Sequence, residues 1–518
     1  MKQERFNPST DVSNWQGRSD YLKGYPGQAM SAALNGGFFG AGKQYWALMF
    51  QTYPGGSRTE STFRGMDVDS EDNVYVAFVD NSGEEGRIAK FEQSGGMPTL
   101  AASVGLDNTV PTGNVTCWND SGTEIISLSG AKNNQSESCY IYSIGKDLST
   151  DVNSGRSAGI YINSGENNSM SHDQTELSST GVLNWCSMDM FSYFGWYCVQ
   201  GGVWLETGWS IGQTGSTYAP STGISADNTQ IGTASAFQWG ADRWGIAGKY
   251  GTQPWIVGNY NTNGNTQTGS TYEYSGWDNN FSGAKGSLAC NTNETNDPAY
   301  WLITNPHPSN QSVYFAKLPV NNPTSPTWVR KISGGQMYGP GQTGSVGNTT
   351  GTPCRPLIDS NDNIYIAWGD RVSGSSGADR ASIAKYNSSG TLQWSNTIVI
   401  NTGTATNWFN PHSLRLSADE EDLYITIERG RPNSSYSGSG MLFKVPADGT
   451  LTSSDAVSID GGTFTYNTQT YTEAAGSLTV ALNSSSGWST STSQTTATNG
   501  FPTESSFDSN LATSEIEG

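Results

Sequence analysis

The chain has 518 residues, 34% of them hydrophobic and only 14% charged, with 63 glycines and an abundance of Ser, Thr and Asn. That length exceeds one ordinary core, yet no linker interrupts its middle, so a ring of repeats suits it better than separate globules. A formal net charge of −20 repels phosphate backbones and anionic lipid, which argues against nucleic acid and membrane surfaces as partners.

The chain opens on Met1, Lys2, Gln3, Glu4 and Arg5 without an apolar leader, and no later stretch is apolar enough to span a bilayer. Synthesis in the cytoplasm, without export or membrane insertion, is the expectation. Residues 1–42 form an arm, with a helix-like pattern only near Gln28 to Asn35. Next comes Gln44, Tyr45, Trp46, Ala47, Leu48, Met49 and Phe50, an aromatic-aliphatic strand with no unit of its own.

A recognisable unit follows. Phe63 to Met66 leads into the turn Asp67, Val68, Asp69, Ser70, Glu71, Asp72 and Asn73, then the strand Val74 to Phe78, a loop, the strand Arg87 to Phe91, and Gly95. Weaker units are expected at Val115–Trp118, Glu124–Leu128 and Cys139–Ile144; at Trp185–Met188, Trp196–Gln200 and Val203–Glu206; at Ala236–Trp239, Trp244–Ala247 and Trp255–Val257; and at Leu288–Asn291, Tyr300–Thr304, Val313–Leu318 and Trp328–Ile332. A close copy of the first unit runs from Ile358 and Asp359 through Asn363 and Trp368 to Ser382–Tyr386 and Gly390. A third runs from Leu414 through Asp419 and Asp422 to Tyr424, Leu442–Val445 and Gly449. Short strands alternating with turn residues read as all-β, and units of about fifty residues read as the four-stranded blades of a β-propeller.

Seven blades over residues 43–460 are expected. A propeller must hide its two terminal edges, so Tyr45 to Gln51 should complete the blade of Leu423 to Val445 and close the ring. Tyr45, Trp46, Leu48 and Tyr424 are the closing residues. Residues 461–518 form a second arm, with alternation at Thr463–Tyr466, Gln469–Thr472 and Ser477–Ala481. A tract as polar as Ser484 to Asn499 buries too little apolar surface to order itself, and a neighbouring subunit is its expected partner.

Little in the chain points to chemistry. Asp67, Asp69, Asp72 and Asn73 resemble a calcium loop, but Phe78 stands where such a loop needs a bidentate Glu. Asp and Asn that bond their own turn backbone are the preferred explanation, and neither metal nor cofactor is expected. His172, His307 and His412 lie far apart with no nucleophile elbow, zinc-helix motif or phosphate loop. Asp67, Asp189, Asp242 and Asp359 are candidates for a carboxylate pair near the ring axis, as a glycan hydrolase would need; the same residues serve as turn and loop residues. Cys117, Cys139, Cys186, Cys198, Cys290 and Cys354 lack metal-site spacing. Cys117 with Cys139, or Cys186 with Cys198, could face each other, but buried free thiols are preferred. Most of the 17 Trp and 24 Tyr should wedge between blades. Trp209 and Trp239, beside Gly-rich loops, are the first candidates for ligand or partner contact.

The units at Asp67–Lys90 and Asp359–Lys385, with Gly390 to Trp394, resemble a bacterial propeller repeat of the SBBP or PQQ-like type: Asp-Ser-x-Gly-Asn-x-Tyr-Val, then Ile-x-Lys-Tyr, then Gly-x-Leu-x-Trp. Asp72 and Asp362 stand where that repeat has Gly. The stretch Tyr471 to Val480, with the Ser/Thr runs after it, is similar to the tails of virion proteins of marine tailed bacteriophages. That resemblance implies a non-enzymatic tail, nozzle, fibre or capsid-attached protein, present in several copies, that docks on other virion proteins through its arms. A propeller that recognises a host surface glycan, or one that hydrolyses it, are the alternatives.

Overall fold

A computed structural model describes the backbone in segments between residues 46 and 517. Side-chain surroundings are described for residues within 65–105, 115–128, 142–149, 312–333, 354–399, 411–427, 441–450 and 466–479. The fold is all-β, with no helix among the described residues. Its strands form seven small antiparallel sheets, numbered here in chain order.

Sheet one contains Ser61–Val68, Val74–Asp80, Glu85–Glu92 and Thr99–Leu106. Sheet two contains Thr109–Asp120, Thr123–Lys132, Ser138–Gly145 and Ala158–Tyr161. Sheet three contains Met170–Leu177, Val182–Phe191, Gly195–Val203 and Ser216–Pro220. Sheet four contains Ser235–Gln238, Arg243–Tyr250, Gln253–Asn261 and Thr271–Ser275. Sheet five contains Gly286–Cys290, Ala299–Thr304, Ser312–Pro319 and Trp328–Ser333. Sheet six contains Leu357–Ile358, Ile364–Arg371, Ala378–Tyr386 and Leu392–Asn401. Sheet seven takes Trp408–Leu416, Asp422–Gly430 and Ser439–Pro446 from this end of the chain, and its fourth strand, Trp46–Thr52, from the other.

In that fourth strand Trp46 stands opposite Lys444 and Phe50 opposite Gly440. Trp328 faces Lys317 in sheet five and Trp394 faces Lys385 in sheet six. The amino-terminal strand therefore occupies the register of an ordinary fourth strand; Tyr45 itself lies outside the described residues, as does the arm before it. The weaker units needed correction chiefly in sheet three. Val203 ends the strand Gly195–Val203 and residues 204–206 lie outside the described residues, while the first strand, Met170–Leu177, carries little apolar signal in the sequence because Ser, His, Asp, Gln, Thr and Glu fill it.

The segment expected as a carboxy-terminal arm on a neighbouring subunit instead pairs within its own chain. Gly462–Thr468 adds to sheet six, Thr472–Ala475 to sheet five, Thr479–Asn483 to sheet four and Trp488–Ser491 to sheet three. Thr495–Ala497 then adds to sheet two, Glu504–Ser506 to sheet one, and Leu511–Glu517 to sheet seven, beside Trp46–Thr52. Low apolar content did not prevent this, because strand addition draws on backbone N–H and C=O groups that every non-proline residue carries.

The core lies between sheets. Met66, Val76 and Phe91 of sheet one pack with Tyr424 and Leu442 of sheet seven. Tyr75 and Ile88 of sheet one pack with Ile126 and Tyr142 of sheet two. Phe315 and Ile332 of sheet five pack with Ile366 and Tyr386 of sheet six, and Tyr365 and Ile383 of sheet six with Ile425 and Phe443 of sheet seven. First strands touch between sheets one and two, two and three, three and four, four and five, and seven and one.

Candidate functional site

The first Asp-rich turn begins two residues later than the sequence suggests: Asp67 is the last residue but one of the strand Ser61–Val68, and the turn starts at Asp69. Asp69 Oδ1 accepts from the amides of Glu71 and Asn73, each at 2.9 Å, while Oδ2 accepts from Asn73 Nδ2 at 2.8 Å. Sheet six repeats this, with Asp359 Oδ1 accepting from Asn361 N at 3.0 Å and Asn363 N at 2.8 Å. These carboxylates hold their own hairpins in the way Asx turns do. Asp72 and Asp362 adopt φ of +63° and +59°, the left-handed conformation that Gly takes freely and that Asp and Asn tolerate best among other residues.

The same network joins neighbouring sheets. Tyr75 Oη lies 3.1 Å from Asp69 Oδ2 and 2.9 Å from the carbonyl oxygen of Lys146 in the sheet-two segment. In sheet six Tyr365 Oη donates to the Ala447 carbonyl after sheet seven at 3.3 Å. In sheet seven Tyr424 Oη accepts from Gln93 Nε2, and Gln93 Oε1 accepts from Lys444 Nζ at 3.1 Å. The Lys of the third strand stands opposite the Tyr of the second each time: Lys90 with Tyr75, Lys385 with Tyr365, Lys444 with Tyr424. Lys385 Nζ is 4.7 Å from the Tyr365 ring centre and 3.3 Å from Asp359 Oδ2, so ring and carboxylate share one cation. Burial, with Asp359 next in effect, pushes the Tyr365 phenol above its ordinary range. The motif Asp, Tyr, Ile-x-Lys is thus the sequence trace of a packing device.

A second device fixes the fourth strands. Trp328 of sheet five covers Gly390, and Trp394 of sheet six covers Gly449; a Cβ on either glycine would fall within 2.6 Å of the indole. Two residues after each Trp, a side chain bonds the same glycine: Arg330 Nε to Gly390 O at 3.1 Å, and Asn396 Nδ2 to Gly449 O at 3.1 Å.

Asp67 joins three sheets. Its Oδ1 meets Arg415 Nε of sheet seven at 2.7 Å, and its Oδ2 accepts from Cys117 N of sheet two at 2.7 Å. Asp67, Arg415 and Cys117 all stand on first strands. Burial, then Asp67 and Asp69, push the Cys117 thiol well up, which makes it a poor nucleophile.

Asp67 and Asp359 are therefore each held by a cation and by N–H donors, and the structure does not bring them together. Asp189 lies in the strand Val182–Phe191, of which only the backbone is described, and Asp242, Trp209 and Trp239 lie outside the described residues. Trp46 and Leu48 are placed by backbone alone, whereas Tyr424 is fully buried. His172 sits in the strand Met170–Leu177, His412 at a register irregularity between Pro411 and Ser413, and His307 outside the described residues. The proposed cysteine pairings do not fit. Cys117 and Cys139 occupy the first and third strands of sheet two, with Thr123–Lys132 between them. Cys186 faces Gln200 and Cys198 faces Met188, two residues out of register. Cys117 and Cys354 are free thiols.

No family model matches the chain, and no curated protein matches it. Among solved structures it is similar to the WD40 domain of SCAP from fission yeast, at 9% identity over 81% of this chain and 98% of that chain, with a TM-score of 0.34.

Proposed function

We propose that the seven sheets are the blades of one closed propeller and that the protein is a non-enzymatic structural component of a tailed phage particle. One observation carries the ring: sheet seven, completed by the amino-terminal strand, touches sheet one through Tyr424 and Gln93, Arg415 and Asp67, and a shared apolar cluster. Contacts between sheets then run without a gap from one to seven and back to one. The scaffold role is supported by the use of the described candidate carboxylates: Asp67 and Asp359 tie sheets and turns together, and a glycan hydrolase needs two carboxyl groups facing one cleft. The virion setting is supported by the similarity of Tyr471 to Val480 to phage tails. Because seven strands between Gly462 and Glu517 pair within the chain, docking on other virion proteins falls to the ring's loops and to residues 1–42.

Mass spectrometry of purified particles tests the setting, and deletion of residues 1–42 tests the docking. The protein is expected among the particle components, and the deleted chain should fold yet fail to enter particles. Absence from particles overturns the setting; normal incorporation of the deleted chain overturns the docking. Glycan cleavage that Asp67→Asn abolishes without unfolding the protein overturns the scaffold role.

A further inference from the structure

We propose that the seven strands between Gly462 and Glu517 form a strap that closes over the finished sheets and holds the seam of the ring shut, with Leu511–Glu517 as its buckle. The inference rests on the closed ring proposed above and assigns a purpose to the segment that encircles it.

The strap travels against the chain's first circuit, adding one strand per sheet in the order six, five, four, three, two, one, seven. It is longest at its ends: Gly462–Thr468 and Leu511–Glu517 have 7 residues each, whereas Thr495–Ala497 and Glu504–Ser506 have 3. The start is fixed by side chains. Asn396 Nδ2 donates to Tyr466 Oη at 2.8 Å, Gln469 N donates to Ser395 O at 3.0 Å, and the Tyr386 hydroxyl bonds Glu473. Tyr471 is buried edge-on against Trp368, with ring centres 5.2 Å apart. Gly476 N donates to Val329 O at 3.0 Å, and a Cβ on Gly476 would fall 2.9 Å from Val329 Cγ1, so the strap lies tight on sheet five.

The far end does something different. Trp46–Thr52 reaches sheet seven from the opposite end of the chain, and no short loop ties it to Ser439–Pro446. It meets that strand in five register pairs but meets Leu511–Glu517 in seven. The seam strand therefore has more of its backbone paired with the strap than with the sheet it completes. An edge strand held on one side only is prone to fray or to pair with another chain; the buckle removes that edge.

The test is amide hydrogen exchange on the full chain and on a chain ending at Asn510. Amides of residues 46–50 fall into two alternating sets, one facing residues 440–444 and one facing 513–517. Loss of the buckle trivially exposes the second set. A strap also requires the first set to lose protection, by about tenfold or more, because the seam opens. Unchanged protection of the first set overturns the strap and leaves a passive edge cover. Thr513→Pro and Ser514→Pro in the full chain keep the test decisive if the shortened chain fails to fold. One of these prolines removes an N–H aimed at the seam and the other an N–H aimed outward, so unequal loss at residues 46–50 is expected and equal loss overturns the strap. Class-averaged electron micrographs of the full chain separate the two proposals. Particles without a ring overturn the closed propeller, whereas an intact ring whose seam ignores the buckle overturns the strap alone.

Discussion

Replacing Gly390 with Ala should weaken the joint between sheets five and six by a predictable amount. Gly390 has φ of +76°, so any Cβ carries a left-handed penalty of about 1 kcal/mol. That Cβ would also sit 2.6, 2.8 and 2.9 Å from Cε2, Cζ2 and Cδ2 of Trp328, well inside contact distance. The indole has little room to retreat, because Phe315 packs edge-on against it at 5.2 Å and the Arg330 guanidinium lies 5.2 Å from its ring centre. Overpacking of this kind costs about 1–3 kcal/mol. Together the two effects give about 2–4 kcal/mol, a large part of the stability of an ordinary domain. Urea unfolding followed by tryptophan fluorescence measures it. The same substitution is then made in a Trp328→Ala background, where only the dihedral penalty of about 1 kcal/mol should remain. Equal destabilisation in both backgrounds would refute the overlap, and none in either would refute the close approach altogether.

Three further outcomes follow from the same geometry. Asp72→Gly should destabilise by about 1 kcal/mol, since relief of the left-handed strain offsets the added unfolded-state entropy and the loss of one hydrogen bond remains. The bond lost is the one that Asp72 Oδ1 accepts from Ala418 N, in the turn after Trp408–Leu416, at 2.8 Å; paired thermal melts of the two chains decide it. Asp67→Ala should destabilise by about 1–3 kcal/mol, leaving Arg415 and Cys117 N without this acceptor, and a double-mutant cycle with Arg415→Ala should return a favourable coupling. Burial pushes the Cys354 thiol up to about 12. The folded state then keeps its proton where the unfolded chain loses it, so this contribution is intact below the ordinary thiol range and is lost as pH rises from about 9 through about 12. Cys354→Ala should flatten that alkaline slope, and alkylation at pH 8 should label Cys354 only after unfolding.

How much the sequence betrayed depended on how local each interaction is. The turns at Asp69 and Asp359, the Tyr two residues after each turn Asn and the Lys opposite it lie within three consecutive strands of one sheet, so the motif shows in the sequence alone. The Trp that covers Gly390 shows in the sequence only as the first residue of the expected strand Trp328–Ile332, because its glycine belongs to the next unit. The Arg415 contact to Asp67 joins residues 348 positions apart in the chain, and no local pattern signals it. Met170–Leu177 was missed because its membership of sheet three is decided by Val182–Phe191 beside it rather than by its own apolar content. The strands after Gly462 show in the sequence only as patches of alternation, and the sheets they join are hidden for the same reason. Ser and Thr look like linker, yet a neighbour with free backbone groups turns them into sheet.

The placement of Trp46–Thr52 in sheet seven also has a consequence for synthesis. Its partner strand, Ser439–Pro446, is translated nearly four hundred residues later, which at about 5–20 residues per second leaves the apolar run Trp46 to Phe50 waiting about 20–80 s on the ribosome. During that interval the nascent chain offers a sticky strand to every neighbouring polypeptide on the same message, so yield should respond to chaperone supply and elongation speed before it responds to any property of the finished protein.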